Sequence, residues 1–291
     1  MNDTQKISIR FYNDREVRAV WDEDANKWYF SAVDIVMAIT ESANPRKYWS
    51  VLKTRLRKAG NELTTACSQL KLTAADGKKY MTDCFPQDAI EALVKAIPSK
   101  NTQAFLDWFT YSDNTIDGKS KKKAYELWES HLVADKDVGS VKSLQQIHAY
   151  LFGGLYDFAG KIRTKTISKG GFTFCLAQYL PQQLDIIEKM PEASIDDIFN
   201  KYVEMNVAHP FMEGNGRSTR IWLDLMLKAR VAKCIDWSRI NKNDYLQAMT
   251  QSVADATFVK QLLTNALTDN INSRELFIKG IDYSYYYEQE D

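Results

Sequence analysis

The window His209-Pro-Phe-Met-Glu-Gly-Asn-Gly-Arg-Ser-Thr-Arg220 constrains this chain more tightly than any other stretch. Apolar residues at helical spacing precede it (Ile198, Tyr202, Met205) and follow it (Trp222, Leu225, Met226, Ala229). Pro210 cannot continue a helix, so the first helix must end near His209. Gly214 and Gly216 permit positive φ and close approach of a ligand to the backbone. A helix over 217–229 follows, and its N-terminal amides and positive dipole end make the loop an anion site.

The side chains in the window match that reading. Arg217 and Arg220 stand three apart, on neighbouring positions of one helical face, where both can grip phosphate oxygens. Glu213 offers a hard oxygen suited to Mg²⁺ bound to those phosphates. His209 can be neutral near pH 7 and accept a proton. A zinc site is the rival reading. It lacks H-E-x-x-H, and with 3 histidines in the chain it would draw ligands from scattered places.

Composition narrows the class. At 291 residues the chain holds two domains or one large one. Lys+Arg and Asp+Glu are 38 each, which excludes a uniformly basic nucleic-acid coat. The cysteines Cys67, Cys84, Cys175 and Cys234 form no C-x-x-C pair, so reduced thiols in a cytoplasmic protein are expected. Apolar runs of a few residues fall far short of the roughly 20 needed to span a bilayer, and no secretory signal is evident.

The periodicity changes along the chain. Ile7, Ile9 and Phe11, then Val17 to Trp21, then Trp28 and Phe30 read as strands, with a turn over Asp22–Lys27. Ser31 caps an expected helix over 32–39, and Pro45–Lys58 reads as a second helix carrying six basic residues and no acid. Asp76-Gly77 marks a turn. Helices are expected over 87–96 and 102–109. The polar segment 112–123, with its lysine run, reads as a linker between an α+β domain over 1–111 and a mainly helical domain over 124–291. Leu127, Trp128, His131 and Leu132 give one helical face of that second domain. Within it, Thr164, Thr166 and Ile167, then Gly170-Gly171, then Phe172–Phe174 suggest a short β-hairpin.

At these residues the chain resembles the Fic family of nucleotidyl transferases, whose signature H-P-F-x-[D/E]-G-N-G-R-x-x-R is met at all nine specified positions. The upstream stretch Leu144–Phe174 resembles the family's helix and target-positioning hairpin, so Fic-like sequence runs from about 117 to the C-terminus. The resemblance implies an enzyme that transfers AMP from ATP, with Mg²⁺, to a Tyr, Thr or Ser hydroxyl of a target protein. His209 would be the base and Glu213 the metal ligand. The backbone of Gly214–Gly216 and the Asn215 side chain would line the anion hole, and Arg217 and Arg220 would hold the β- and γ-phosphates. Phe211 would point into the core. The flap would comprise Ser168, Lys169, Gly170, Gly171 and Phe172. Doc-like kinases replace the first loop glycine; Gly214 is retained, which favours AMP transfer. Other Fic proteins move UMP or phosphocholine.

The C-terminal Ser284-Tyr-Tyr-Tyr-Glu288 resembles the family's inhibitory helix pattern [S/T]-x-x-x-E-[G/N], with Gln289 departing at the last position. The resemblance implies that Glu288 pairs with Arg220 and blocks the γ-phosphate site. It also implies self-modification of a tyrosine in that helix, with a change of homo-oligomeric state. Tyr285 is the candidate, and Tyr286 and Tyr287 are the controls. The other reading of these residues is an acidic tail.

Residues about 6–109 resemble the BRO N-terminal domain of phage antirepressors, a family associated with DNA. The basic Arg46–Lys58 helix could contact phosphates, and docking of a target protein is the competing role. The alternative for the whole chain is a DNA-binding regulator with an inactive or toxin-type Fic domain.

Overall fold

The computed structural model describes residues 7–74, 77–130, 137–169 and 172–289. Asp76, His131, Leu132, Gly170 and Gly171, named above, lie outside the described residues, as do the last two residues of the acidic tail, Glu290 and Asp291. The polypeptide divides into two units, the first ending at Thr115 and the second running from Ile116 to Glu290.

In the first unit, strands β1 (Ile7–Tyr12), β2 (Arg15–Asp22) and β3 (Lys27–Ser31) lead into helix α1 (Ala32–Thr40) and helix α2 (Pro45–Lys58). Strands β4 (Ser68–Thr73) and β5 (Lys79–Pro86) follow, then helices α3 (Ile90–Lys95) and α4 (Thr102–Tyr111). The antiparallel sheet has the order β1-β2-β3-β5-β4. Ser31 Oγ accepts from the Asp34 amide at 3.3 Å and so starts α1. The Asp34 carboxylate in turn takes Arg18 Nε and Nη2, each at 2.7 Å, which fixes α1 against β2. Phe30, Phe85, Phe105 and Trp49 fill the space between sheet and helices.

The second unit is mainly helical. It holds α5 (Ile116–Ser130), α6 (Val141–Phe152), the small hairpin β6 (Ser168–Lys169) and β7 (Phe172–Thr173), α7 (Leu180–Glu188), α8 (Ile195–Ala208) and α9 (Asn215–Val231). Strand β8 (Cys234–Ile235), α10 (Lys242–Gln251), α11 (Thr257–Asn265), β9 (Leu267–Thr268) and α12 (Arg274–Tyr286) complete it. A capping box between Ser194 and Asp197 starts α8. Helix α9 packs on α6, α8 and α12, and Trp222, Leu223, Met226 and Leu227 bury completely between them.

The expected linker over 112–123 is corrected. Most of it is the first half of α5, because Ser120 and Ala124, four apart, are fully buried and give the lysine-rich stretch a packed face. The lysine run had hidden that face. No helix among the described residues is long and apolar enough to cross a membrane.

Candidate active site

Helix α8 ends where the site begins. His209 caps it in the left-handed conformation (φ 50°, ψ 65°), and its amide donates to Met205 O at 3.0 Å. The His209 ring Nδ1 lies 3.1 Å from Asn206 O, so Nδ1 carries the proton and donates, leaving Nε2 as the acceptor. Phe174, just beyond the hairpin, stacks on the ring with centroids 3.7 Å apart. Burial pushes the imidazolium down to about 4. The ring is therefore neutral at pH 7, in the tautomer that can take a proton at Nε2.

The loop is tied from within. The Asn215 carboxamide accepts from the Phe211 amide and donates to Phe211 O, both at 2.8 Å. The Asn215 side chain thus closes the loop around Phe211. Phe211 is fully buried and stacks on His148 at 3.8 Å. Gly214 has φ 79°, and a Cβ there would strike the Phe152 ring. Both the conformation and the lack of space demand glycine.

The first turn of α9 presents amides that have no intrahelical acceptor. Arg217 in this turn and Arg220 in the next are nearly fully buried. Arg217 Nη2 donates to Glu213 Oε1 at 2.9 Å, and Nη1 pairs with Asp117 of α5. Its guanidinium lies between the rings of Phe152 and Tyr285, at 5.0 and 5.5 Å. Arg217 Nε is buried without a hydrogen-bond partner among the described residues.

Arg220 is met by α12. Its Nε donates to Ser284 Oγ at 2.7 Å, and Nη2 donates to Ser284 O at 2.7 Å and to Glu288 Oε1 at 2.5 Å. A Cβ on Gly216 would collide with the same Glu288 oxygen, so the carboxylate sits directly over the first turn of α9. Burial works to raise the Glu288 pKa, but the charge and hydrogen bond of Arg220 outweigh it and hold the carboxyl below its ordinary value. Lys169 of the hairpin lies 3.9 Å from the other Glu288 oxygen.

The hydroxyl of Tyr285 meets α5. It donates to Ser120 Oγ at 3.0 Å and the residue is 4% exposed. Tyr287 is also buried, donating to Trp237 O and Ile240 O at 2.7 and 2.9 Å. Tyr286 is half-buried. The described hairpin residues Ser168, Lys169 and Phe172 form an antiparallel pair beside the site.

Three site residues escaped the sequence reading. Asp117 lies in the first turn of α5, within the polar segment 112–123. His148 lies on the buried face of α6 beside Leu144, Ile147 and Leu151. Its Nδ1 accepts from the Gly160 amide at 2.9 Å, so Nε2 carries the proton and donates to Glu213 O at 2.8 Å. Burial pushes its imidazolium down to about 4. A histidine among leucines was the available signal. Arg163 hydrogen-bonds the backbone around His209 and left no signal in the sequence.

Glu213 is the one carboxylate of the loop, its side chain about half exposed beside the amides of α9. A single hard carboxylate beside helix N-terminal amides suits Mg²⁺, which takes one or two protein oxygens and completes its shell with phosphate and water. No group of three or more His, Cys, Asp or Glu side chains is placed to hold a metal by itself among the described residues.

Residues 139–227 match the Fic/DOC family model. The chain is 29% identical over 175 residues to the protein adenylyltransferase VbhT of Bartonella schoenbuchensis, which covers 55% of this chain and 35% of that one. It thus spans about a third of that relative's length. It is 24% identical over 144 residues to the probable protein adenylyltransferase Fic of Escherichia coli, covering 45% of this chain and 72% of that one. Among solved structures, the N-terminal Fic domain of a Bartonella effector protein from Bartonella sp. AR 15-3 aligns with TM-score 0.48 at 16% identity, over 55% of this chain and 83% of that one.

Proposed function

We propose that the second unit is a protein adenylyltransferase held in an autoinhibited state. The observation that carries the reading is the placement of one neutral histidine beside an anion cradle built from a helix N-terminus and two buried arginines. His209 Nε2 takes the proton of a target hydroxyl, whose oxygen attacks the α-phosphorus of ATP. The bond to the bridging oxygen breaks and pyrophosphate leaves. Such transfer relies on positioning and charge neutralisation, which these residue types supply.

In this reading the α9 amides and Arg217 hold the inner phosphates, and Arg220 holds the γ-phosphate. Glu213 would hold Mg²⁺, which neutralises phosphate charge when bound. The hairpin aligns an extended segment of the target. Glu288 occupies the place of a γ-phosphate oxygen on Arg220, a carboxylate standing in for a phosphate. Self-modification at Tyr285 requires α12 to leave first, since its hydroxyl is buried against Ser120.

The test is incubation with labelled ATP and Mg²⁺ of the wild type, His209→Ala and Glu288→Gly. Transfer that rises in Glu288→Gly and vanishes in His209→Ala supports the reading. No labelled protein from any variant in a cell lysate refutes it.

For the first unit, the exposed basic residues of α2 (Arg46, Lys47, Arg57 and Lys58) favour binding to a polyanion such as DNA. Lys53 is not available to it, since it pairs with Asp83 at 2.6 Å. Binding that weakens steeply with added salt supports this role. No binding at low salt leaves protein docking.

A further inference from the structure

We propose that Arg163 is the positioning residue that locks the catalytic base and the target-holding hairpin into one frame. The inference rests on the assignment of His209 as the base and deepens it. Arg163 is 4% exposed and directs its whole donor fork at backbone carbonyls. Nε donates to His209 O at 2.7 Å, and Nη2 donates to Ala208 O at 3.0 Å. Nη2 also donates to Cys175 O at 2.5 Å, and Nη1 to Lys165 O at 2.7 Å. The Arg163 amide adds a bond to Pro210 O at 2.9 Å.

These partners fall into two groups. Ala208, His209 and Pro210 are the end of α8 and the start of the glycine loop. Lys165 and Cys175 flank the β6–β7 hairpin on its two sides. One side chain therefore joins the base to both legs of the hairpin.

The requirement is physical. His209 is a non-glycine residue at φ 50°, a conformation that persists only where its surroundings hold it. The carbonyls at the C-terminal end of α8 lack intrahelical donors and carry the negative end of the dipole. A guanidinium supplies both the donors and the positive charge. Its planar fork spans several carbonyls at once, which a lysine ammonium cannot reproduce. Arg163 touches neither phosphate-binding arginine through any of these bonds, so it governs where the base and the acceptor meet and not how the nucleotide is held.

The test uses the full chain carrying Glu288→Gly, with Arg163→Lys and Arg163→Met added separately. Arg163→Lys keeps the charge and loses the fork. Misplacing a base by an ångström lowers kcat by about a hundredfold, and the KM for ATP should stay within about threefold. A second readout needs no activity. With 3 histidines in the chain, the His209 ring signals can be assigned by NMR through His209→Ala. In Arg163→Lys the Nδ1–H tautomer and the ring-current shift from Phe174 should be averaged away.

Unchanged kcat with unchanged ring signals in a folded Arg163→Lys would overturn the proposal. So would an equal loss of ATP affinity and kcat, which would make Arg163 a general support of the loop. If the Glu288→Gly background transfers no AMP, the adenylyl-transfer reading fails, while the ring signals still decide the role of Arg163.

Discussion

Glu288 Oε1 and Arg220 Nη2 are 2.5 Å apart, and the carboxylate lies where a residue larger than glycine at 216 would strike it. The same oxygen thus covers the arginine and the first turn of α9. A charge-assisted hydrogen bond of this kind contributes about 1.5–3 kcal/mol. Removing it in Glu288→Gly should raise AMP transfer roughly ten- to a hundredfold. Glu288→Gln, which keeps the shape and loses the charge, should give a smaller rise. Initial rates with labelled ATP check both, and equal rates in all three proteins would dismiss the brake.

His148 and His209 both have imidazolium pKa values pushed down to about 4 by burial. Between that value and the ordinary 6.5, the unfolded chain binds more protons than the native one. Stability therefore falls as pH drops below 6.5, by up to about 1.4 kcal/mol per pH unit for each ring. Glu288 acts at lower pH: its depressed pKa gives stability that is full above the ordinary carboxyl value and lost only as pH falls through the folded value. Thermal unfolding between pH 7.5 and 4.5 checks this. His148→Gln should lower the slope of midpoint against pH, and an unaltered slope would remove His148 from the account.

The signature loop was legible because its chemistry is local. Pro210, Gly214 and Gly216 fix the backbone within one window, and the residues that use it lie in the same window. The strands of the first unit were legible for a similar reason, since Ile9, Phe11 and Val17 alternate with polar neighbours. What escaped depends on distance. The Arg163 side chain meets carbonyls up to 46 positions away, and backbone carbonyls have no residue identity to read. Asp117 meets Arg217 across 100 positions. Asn215 shows a further limit: its type suits an anion hole, and only the fold reveals that both ends of its amide are used by Phe211.

Gly214→Ala should be severe. A methyl group would enter the Phe152 ring, and φ 79° is unfavourable for alanine. The conformation alone costs about 1–2 kcal/mol, before Phe152 shifts. Because Phe152 also lies 5.0 Å from the Arg217 guanidinium, its movement should weaken ATP binding. Calorimetry with Mg·ATP in the Glu288→Gly background measures this. Affinity unchanged in Gly214→Ala would mean that the loop relaxes without disturbing Arg217.

Asp282 offers a route to the proposed brake that leaves Arg220 untouched. It is fully buried on α12, pairs with Lys121 Nζ at 2.5 Å and accepts from the Tyr125 hydroxyl. Both partners belong to α5, which also holds Tyr285 through Ser120. Breaking a buried ion pair from one side costs about 3–5 kcal/mol, because the remaining charge loses its compensation. In Asp282→Ala that cost falls on the docking of α12, so the brake should loosen and transfer by the otherwise wild-type chain should rise. In the Glu288→Gly background the brake is already gone, and Asp282→Ala should add little. The two substitutions are therefore expected to be non-additive in log rate. A full and equal gain from Asp282→Ala in both backgrounds would show that the α5–α12 clamp acts on the site by some path other than Glu288.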